Sequence, residues 1–481
     1  MVFASLFFLY AFLPLFLGCY YLAPLRWRNA VALVGSVVFY AWGEPVFAGI
    51  LLVASVVVYL ISLGIQRLPV TSRRPRQWLL ALGLVASLAL LVYCKYSNFF
   101  VANLNGLLGH LQHGSIVWTA VALPIGVSFF TFQKISYLVD VYRGTSRPAR
   151  NLPDFLLYVM LFPQLIAGPI IRYHDIAGQI EHRDHTADRF LAGAWRFLLG
   201  LGRKVLFANP LGLVADRIFG HDLASLPAAY AWVGILCYTF QIYFDFAGYS
   251  DMAIGLARMM GFEFIENFNR PYTARSVTEF WRRWHISLTN FMRDYLYIPL
   301  GGNRAGSFRT GLNLWLVFLV SGFWHGASTS FIAWGAYHGS LLSLERGLGR
   351  QRLERLPAVL GTVLTFLLVL LGWVLFRTAT LADAITYAGR LFDFAHWNAV
   401  NPPLDFVWPE IITRRATAVL LLAAVISFLP DRFWTRFGWD DPRPRSFRGG
   451  ILRTVIAAAC LLLASAALAG QSYNPFIYFR F

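Results

Sequence analysis

Leu312-Asn-Leu-Trp-Leu-Val-Phe-Leu-Val-Ser-Gly-Phe-Trp-His325-Gly-Ala-Ser-Thr-Ser-Phe-Ile-Ala-Trp-Gly-Ala-Tyr-His338-Gly-Ser-Leu341 is the stretch that decides how this chain folds. It is apolar towards both ends and small and polar from Gly326 to Ser330. Arg309 bounds it on one side, and Arg346, Arg350 and Arg352 bound it on the other. Basic residues flanking a membrane segment stay on the cytoplasmic side, so both flanks read as cytoplasmic. About 30 residues are too few for two crossings of about 20 apolar residues each. A hairpin of two short limbs that enters and leaves by one face reconciles charge with length. The alternative is one long tilted span that breaks the charge rule. Irregular backbone at such depth is tolerated only when it is buried in protein or lines a cavity. His325 lies 16 residues beyond Arg309, roughly 24 Å along a helix, and therefore deep in the bilayer.

The composition agrees with a membrane protein. Of 481 residues, 58% are hydrophobic, 17% aromatic and only 14% charged, against about a quarter charged in soluble domains. A water-soluble fold of this size would expose a large apolar surface, which excludes a cytosolic enzyme. Stretches 1–24, 47–66, 79–93, 117–138, 226–246, 357–375 and 451–470 approach or reach spanning length, and 30–43, 152–171, 192–208 and 416–429 are weaker candidates. The expectation is an all-α polytopic membrane protein with roughly 10–12 membrane segments. The first basic residue is Arg26, so the N-terminus does not read as a cleaved signal peptide. Cys19, Cys94, Cys237 and Cys460 are scattered through apolar segments, which suits neither a disulfide framework nor a metal site.

Lys+Arg 41 minus Asp+Glu 24 gives +17. The excess clusters between apolar runs: Arg26 and Arg28; Arg67, Arg73, Arg74 and Arg76; then Arg143, Arg147 and Arg150. These read as cytoplasmic and place the N-terminus outside. Further basic groups at 270–309, 346–355 and 432–448 read as cytoplasmic too, and the tail from Gln471 as external. The charge thus orients helices and suits an anionic ligand. Nucleic acid is not expected as a partner.

Ionisable residues inside membrane segments mark functional sites by default. His110, His113, His174, His182, His185, His221 and His396 lie in loops or near segment ends. His182-Arg-Asp-His185 has metal-like spacing but no third ligand nearby. His325 is surrounded by apolar sequence and reads either as a general base acting on a hydroxyl or as a neutral histidine satisfied by a neighbouring helix. His338 reads as structural. Asp245 and Asp251 suit a proton path or the holding of basic side chains, and the second is favoured. The segment Phe280-Trp-Arg-Arg-Trp-His-Ile-Ser-Leu288 mixes aromatics and arginines as interfacial helices do. Its His285 is either an interface residue or part of a site. G-x-S-x-G, Walker A, H-E-x-x-H and dinucleotide motifs are absent, as is the H-x4-D arrangement of glycerolipid acyltransferases.

Several blocks together resemble the membrane-bound O-acyltransferase family, within it the alginate O-acetylation branch. They are Pro124-Ile-Gly-Val-Ser-Phe-Phe-Thr-Phe-Gln133, Tyr137-Leu-Val-Asp-Val-Tyr-Arg-Gly144, Phe162-Pro-Gln-Leu-Ile-Ala-Gly-Pro169 and Phe244-Asp-Phe-Ala-Gly-Tyr-Ser-Asp-Met-Ala-Ile-Gly255. The 280–288 block, Arg293-Asp-Tyr-Leu-Tyr-Ile-Pro-Leu-Gly-Gly-Asn-Arg304, Ser321-Gly-Phe-Trp-His-Gly-Ala327 and the ending Asn474-Pro-Phe-Ile-Tyr-Phe-Arg-Phe481 complete the set. The resemblance implies a single domain over 1–481, with a catalytic core at about 117–345 and helices ringed around a tunnel. It puts His325 at the family's catalytic histidine and His285 at the second functional position. It further implies a thioester donor, acetyl-CoA, on the cytoplasmic side and an acceptor hydroxyl reached from outside. His325 would take the hydroxyl proton as the oxygen attacks the thioester carbonyl. Arg282 and Arg283 either attract the donor's phosphates or anchor the interface. No permanently bound cofactor is implied. Exported partner proteins in a bacterial inner-membrane system complete the expectation, with alginate as the first acceptor polysaccharide and cellulose or peptidoglycan as alternatives. A rival from another class is a transporter of acyl or lipid-linked units without bond chemistry. Paired broken helices would mark it, and only one such hairpin is found.

Overall fold

The computed structural model describes residues 1–304, 306–349, 355–397, 411–430, 433–434, 447–470 and 473–475. Arg350 and Arg352, most of the 432–448 basic group and the 476–481 part of the ending block lie outside these residues. Every regular element among the described residues is helical. Five helices have the length and apolarity of a crossing: Pro45–Arg67, Arg73–His110, Ala187–Phe219, Ala358–Arg377 and Gly449–Gly470. The chain is an all-α polytopic membrane protein. Other expected segments appear as helices that are shorter (Arg28–Ala41, Arg414–Phe428) or interrupted by charge (Ala228–Met259).

The packing has the polarity that lipid selects. Pro45–Arg67 starts on a proline at its first position, where the missing N–H costs nothing. It buries Ala48, Leu51, Ser55, Val58, Tyr59, Ser62 and Ile65, while Val46, Val53 and Leu60 are exposed. Both buried serines and Ala48 lie inward because tails as apolar as leucine leave small residues to mediate helix contact. The buried Ser55 hydroxyl is satisfied by donating to the Leu51 carbonyl at 2.7 Å.

Two expected spans are corrected. Residues 117–126 are not helical, and the helix begins only at Val127. Pro124 disfavours helix at the residue before it, and Gly126 is left-handed (φ 81°) with the Leu165 carbonyl where a Cβ would go, at 2.6 Å. Two asparagines on Ser97–His110 hold this non-helical stretch at Val121 and at the preceding Ile116. Asn98 accepts from Val121 N and donates to Val121 O, both at 2.9 Å, and Asn105 does the same for Ile116 at 2.7 and 3.0 Å. The 152–171 segment is likewise not one span. Leu152–Met160 ends at Leu161, and a single turn follows at Phe162–Leu165. Pro163 and the Gly168-Pro169 pair prevent continuation.

The chain forms two compact units, 1–186 with 256–265, and 187–255 with 266–481. In the first, Phe3, Phe8, Phe12, Phe16, Phe39 and Phe162 form an aromatic core. His185 of the metal-like pair meets the Tyr20 hydroxyl at 2.9 Å. Burial, then Arg28 and Arg183, push His185 down to about 4. His174 lies 2.9 Å from Asp140, whose hydrogen bond holds the imidazole above its usual value.

In the second unit, Ala187–Gly202 crosses Ala228–Met259 in antiparallel register with backbones nearly touching. A Cβ on Gly200 would lie 2.5 Å from the Gly248 carbonyl, and one on Gly255 would lie 2.5 Å from the Gly193 carbonyl. The 312–341 stretch is a helical hairpin, Gly306–His325 and Thr329–Leu348, joined by Gly326–Ser328. A single tilted span is therefore excluded. The limbs are not short. Each has 20 residues, or about 30 Å, because the helices extend past the apolar stretch at both ends. The Ser328 hydroxyl caps the second limb by accepting from Phe331 N at 3.5 Å.

Glycines let the limbs close. A Cβ on Gly322 would meet the Phe331 carbonyl at 2.3 Å, and one on Gly335 the Phe318 carbonyl at 2.4 Å. Gly335→Ala is expected to force the limbs apart and cost about 1–3 kcal/mol, the usual range for overpacking. Gly347→Ala, on the same helix with nothing within 4 Å, should be neutral or stabilising by up to about 1 kcal/mol. Thermal unfolding of the two purified variants checks this. Equal melting temperatures would refute the close-packed hairpin.

Candidate functional site

His325 is the last residue of the hairpin's first limb. The residue after it is Gly326, where a Cβ would collide with the Phe331 ring. The imidazole is buried in an aromatic setting, edge-on to Trp324 (4.8 Å between centroids), Trp334 (5.3 Å) and Phe376 (5.1 Å).

His285 reaches the same place from a different element. It separates the helices Val277–Arg283 and Ile286–Met292, and its backbone is left-handed (φ 45°, ψ 52°). Its buried ring stands 6.4 Å from the His325 ring, centroid to centroid, and 4.7 Å from Phe246. Two nitrogens sharing hydrogen bonds to one oxygen are at most about 6.4 Å apart. The spacing of these rings is thus compatible with one hydroxyl between them. The structure places His285 inside the protein and not at an interface.

Asn267 was not selected by the sequence reading. It is fully buried, and its Oδ1 lies 3.1 Å from His285 Nδ1 while accepting from Ser287 N (3.2 Å) and Ser287 Oγ (2.8 Å). Its Nδ2 donates to Ser250 Oγ at 2.9 Å. An asparagine in a non-periodic loop carries no sequence signal of such a partner. His338 is fully buried as well. Trp281 Nε1 donates to its Nδ1 at 3.3 Å, and Trp334 packs against both His338 (5.0 Å) and His325. Trp281 and Trp334 thus fix the His338 ring in place.

The helix Val277–Arg283 turns Phe280 and Trp281 inward and Arg282 and Arg283 outward. Both arginines line a cavity of about 1180 Å³, together with Arg275, Arg346, Glu279 and Glu345. The two carboxylates are already engaged. Glu345 caps the helix by accepting from Val277 N (2.6 Å), Thr278 N (2.8 Å) and Thr278 Oγ1 (2.7 Å). Glu279 accepts from Arg283 at 2.7 Å, while Arg283 also donates to Thr273 Oγ1 at 2.9 Å. Four arginines against two carboxylates leave the cavity cationic by 4 − 2 = +2. Arg275, Arg282 and Arg346 have exposed side chains. Leu314 also lines the cavity, 11 residues before His325, or about 16 Å along the limb. The cavity therefore opens at the base of the hairpin and the histidines sit at its tip.

A second cavity, of about 500 Å³, is lined by Phe219, His221, Asp222, Arg377, Thr378 and Asp383. It lies at the end of the helix Ala358–Arg377, next in sequence to the Phe376 that touches His325. Asp245 and Asp251 are held by basic groups. Asp251 accepts from Arg196 at 2.6 Å and pairs with Arg203, and Lys204 pairs with Asp245. No group of three His, Cys, Asp or Glu suited to a metal occurs among the described residues.

Comparison with known proteins gives concordant results. Residues 82–355 match the model of the membrane-bound O-acyltransferase family. The chain is 49% identical over 530 residues to "Probable alginate O-acetylase AlgI" of Pseudomonas aeruginosa, covering 100% of both proteins. A protein of the same name from Pseudomonas putida is 43% identical over 500 residues, again at 100% of both. "Peptidoglycan O-acetyltransferase" of Helicobacter pylori is 36% identical over 421 residues, covering 79% of this chain and 77% of the relative.

Proposed function

Since the chain belongs to the membrane-bound O-acyltransferase family, we propose that it takes an acetyl group from acetyl-CoA and delivers it for O-acetylation of an exported polysaccharide, alginate first. One observation carries the reading: two histidines from separate elements meet at the tip of a hairpin whose base opens on an arginine-lined cavity. Arg275, Arg282 and Arg346 suit the phosphates of the donor, because guanidinium groups bind phosphate oxygens by paired donors. An extended thioester arm then covers the distance to the tip. There His325 accepts the proton of the acceptor hydroxyl while its oxygen attacks the thioester carbonyl. The carbon–sulfur bond breaks, and the proton passes finally to the departing thiolate.

The site is reached from the cytoplasmic side for the donor and from outside for the acceptor, in the bacterial inner membrane. The flanking arginines support that orientation through the positive-inside rule. The immediate acceptor is a hydroxyl of the polysaccharide or of an exported partner protein. The Helicobacter relative supports peptidoglycan as a second polymer.

The test is binding and cleavage of labelled acetyl-CoA by the purified full-length protein. The Arg282→Gln/Arg346→Gln double variant is expected to weaken donor binding about 10²- to 10⁴-fold, at about 1.5–3 kcal/mol for each of the two charged hydrogen bonds lost, and more at low salt. Unchanged affinity would sink the assignment of the cavity. In cells lacking the protein, mass analysis of the polysaccharides should show the loss of acetyl esters from alginate.

A further inference from the structure

His285 holds a backbone conformation that costs a non-glycine residue about 1–2 kcal/mol and persists only where its surroundings enforce it. Asn267 supplies three of the contacts that enforce it. The Asn267 carbonyl accepts from Ile286 N at 2.9 Å, and its side-chain oxygen takes both the N–H and the hydroxyl of Ser287. Asn269 N donates to the Arg283 carbonyl at 2.9 Å, so the 267–269 segment grips the chain on both sides of His285.

The same contacts decide which imidazole nitrogen carries hydrogen. A backbone N–H only donates, so the Asn267 atom facing Ser287 N is the oxygen and the amide orientation is fixed. That oxygen only accepts. His285 Nδ1, 3.1 Å from it, therefore bears the hydrogen. The neutral ring presents Nε2 as its lone-pair nitrogen. Ser250, receiving the Asn267 Nδ2 hydrogen, fixes the far side of the amide.

We infer that Asn267 is a positioning residue for acyl transfer, holding His285 in its left-handed backbone and in the Nδ1–H tautomer, so that Nε2 is the lone-pair nitrogen of this second imidazole. The inference rests on the acyl-transfer reading above. It adds an orienting amide to the two-histidine arrangement, the role that a third group plays behind a catalytic histidine elsewhere.

Two measurements test it in the full-length protein. Nitrogen-15 spectra of imidazole-labelled protein, with the His285 signals assigned by their loss in His285→Gln, should show a protonated Nδ1 and an unprotonated Nε2. The opposite tautomer in the parent protein overturns the inference without any Asn267 variant having to fold. In turnover of labelled acetyl-CoA with an acceptor hydroxyl, Asn267→Leu should lower kcat on the order of 100-fold while the donor KM moves by less than about twofold. Asn267→Asp keeps an accepting oxygen and should recover at least about tenfold of that loss. A folded Asn267→Leu within about threefold of the parent, or an Asp variant no better than Leu, also overturns it. If the parent leaves acetyl-CoA uncleaved, the donor assignment fails, and the tautomer spectrum still decides the role of Asn267.

Discussion

His325→Gln is expected to lower acetyl transfer by about 10²- to 10⁴-fold, the range that a positioned general base contributes, with donor affinity unchanged. The separation of the two effects follows from the hairpin. The donor's phosphates are assigned to Arg275, Arg282 and Arg346, and the His325 ring is enclosed by Trp324, Trp334 and Phe376 instead, so the substitution replaces none of the groups that hold the donor. Glutamine is preferred to alanine here. Trp324, Trp334 and Phe376 enclose the ring, and truncation would leave a cavity costing stability of its own. Single-turnover transfer and equilibrium binding, measured on one preparation with an unchanged melting temperature, separate chemistry from folding. Transfer within about threefold of the parent would remove His325 from the mechanism.

Asp251→Ala should have the largest effect on stability. Its carboxylate is buried and receives Arg196 and Arg203 from the helix packed against it. Removing one partner from a buried ionic cluster costs about 3–5 kcal/mol, because the other charges stay desolvated. Arg196 and Arg203 keep 24% and 31% of their side-chain surface exposed, so the lower end of that range is expected. Glu266→Gln, acting on Arg196 from a half-exposed position, should cost less than about 1 kcal/mol. Thermal unfolding of both variants in one detergent gives the comparison. Equal losses would show that burial does not set the energetics of this cluster.

Much of the architecture was legible because it rests on quantities a sequence carries directly. Arg309 and Arg346 enclosing a stretch with a polar centre predicted the hairpin, and through it the place of His325. Apolar runs at 47–66 and 357–375, and a weaker one at 192–208, predicted the helices Pro45–Arg67, Ala358–Arg377 and Ala187–Gly202. The failures share a cause. Residues 117–126 read as a span because they are apolar, whereas the side chains that bond the backbone at Val121 and the preceding Ile116, Asn98 and Asn105, lie on another helix. Limb length was underestimated because hydropathy marks the apolar part of a helix and not its ends. His285 remained ambiguous for a related reason. Interfacial and buried histidines look alike until Asn267, 18 residues away, is seen beside the ring. Nor does periodicity show which arginines face a common cavity, since Arg275, Arg282 and Arg346 come from separate turns and helices.

The glycine contacts between Ala187–Gly202 and Ala228–Met259 bear on how this protein tolerates changes of length. Gly193 and Gly200 are seven residues apart, as are Gly248 and Gly255, and each pair marks two successive points where the helices touch. One residue inserted between 193 and 200 would turn Gly200 about 100° away. A side chain would then stand against the Gly248 carbonyl, and Arg203 would swing off Asp251. Sequence drift in this region is therefore confined to substitution. Insertions and deletions should accumulate in the connections outside the paired glycines, where added chain disturbs neither the contact points nor the charges aligned by them.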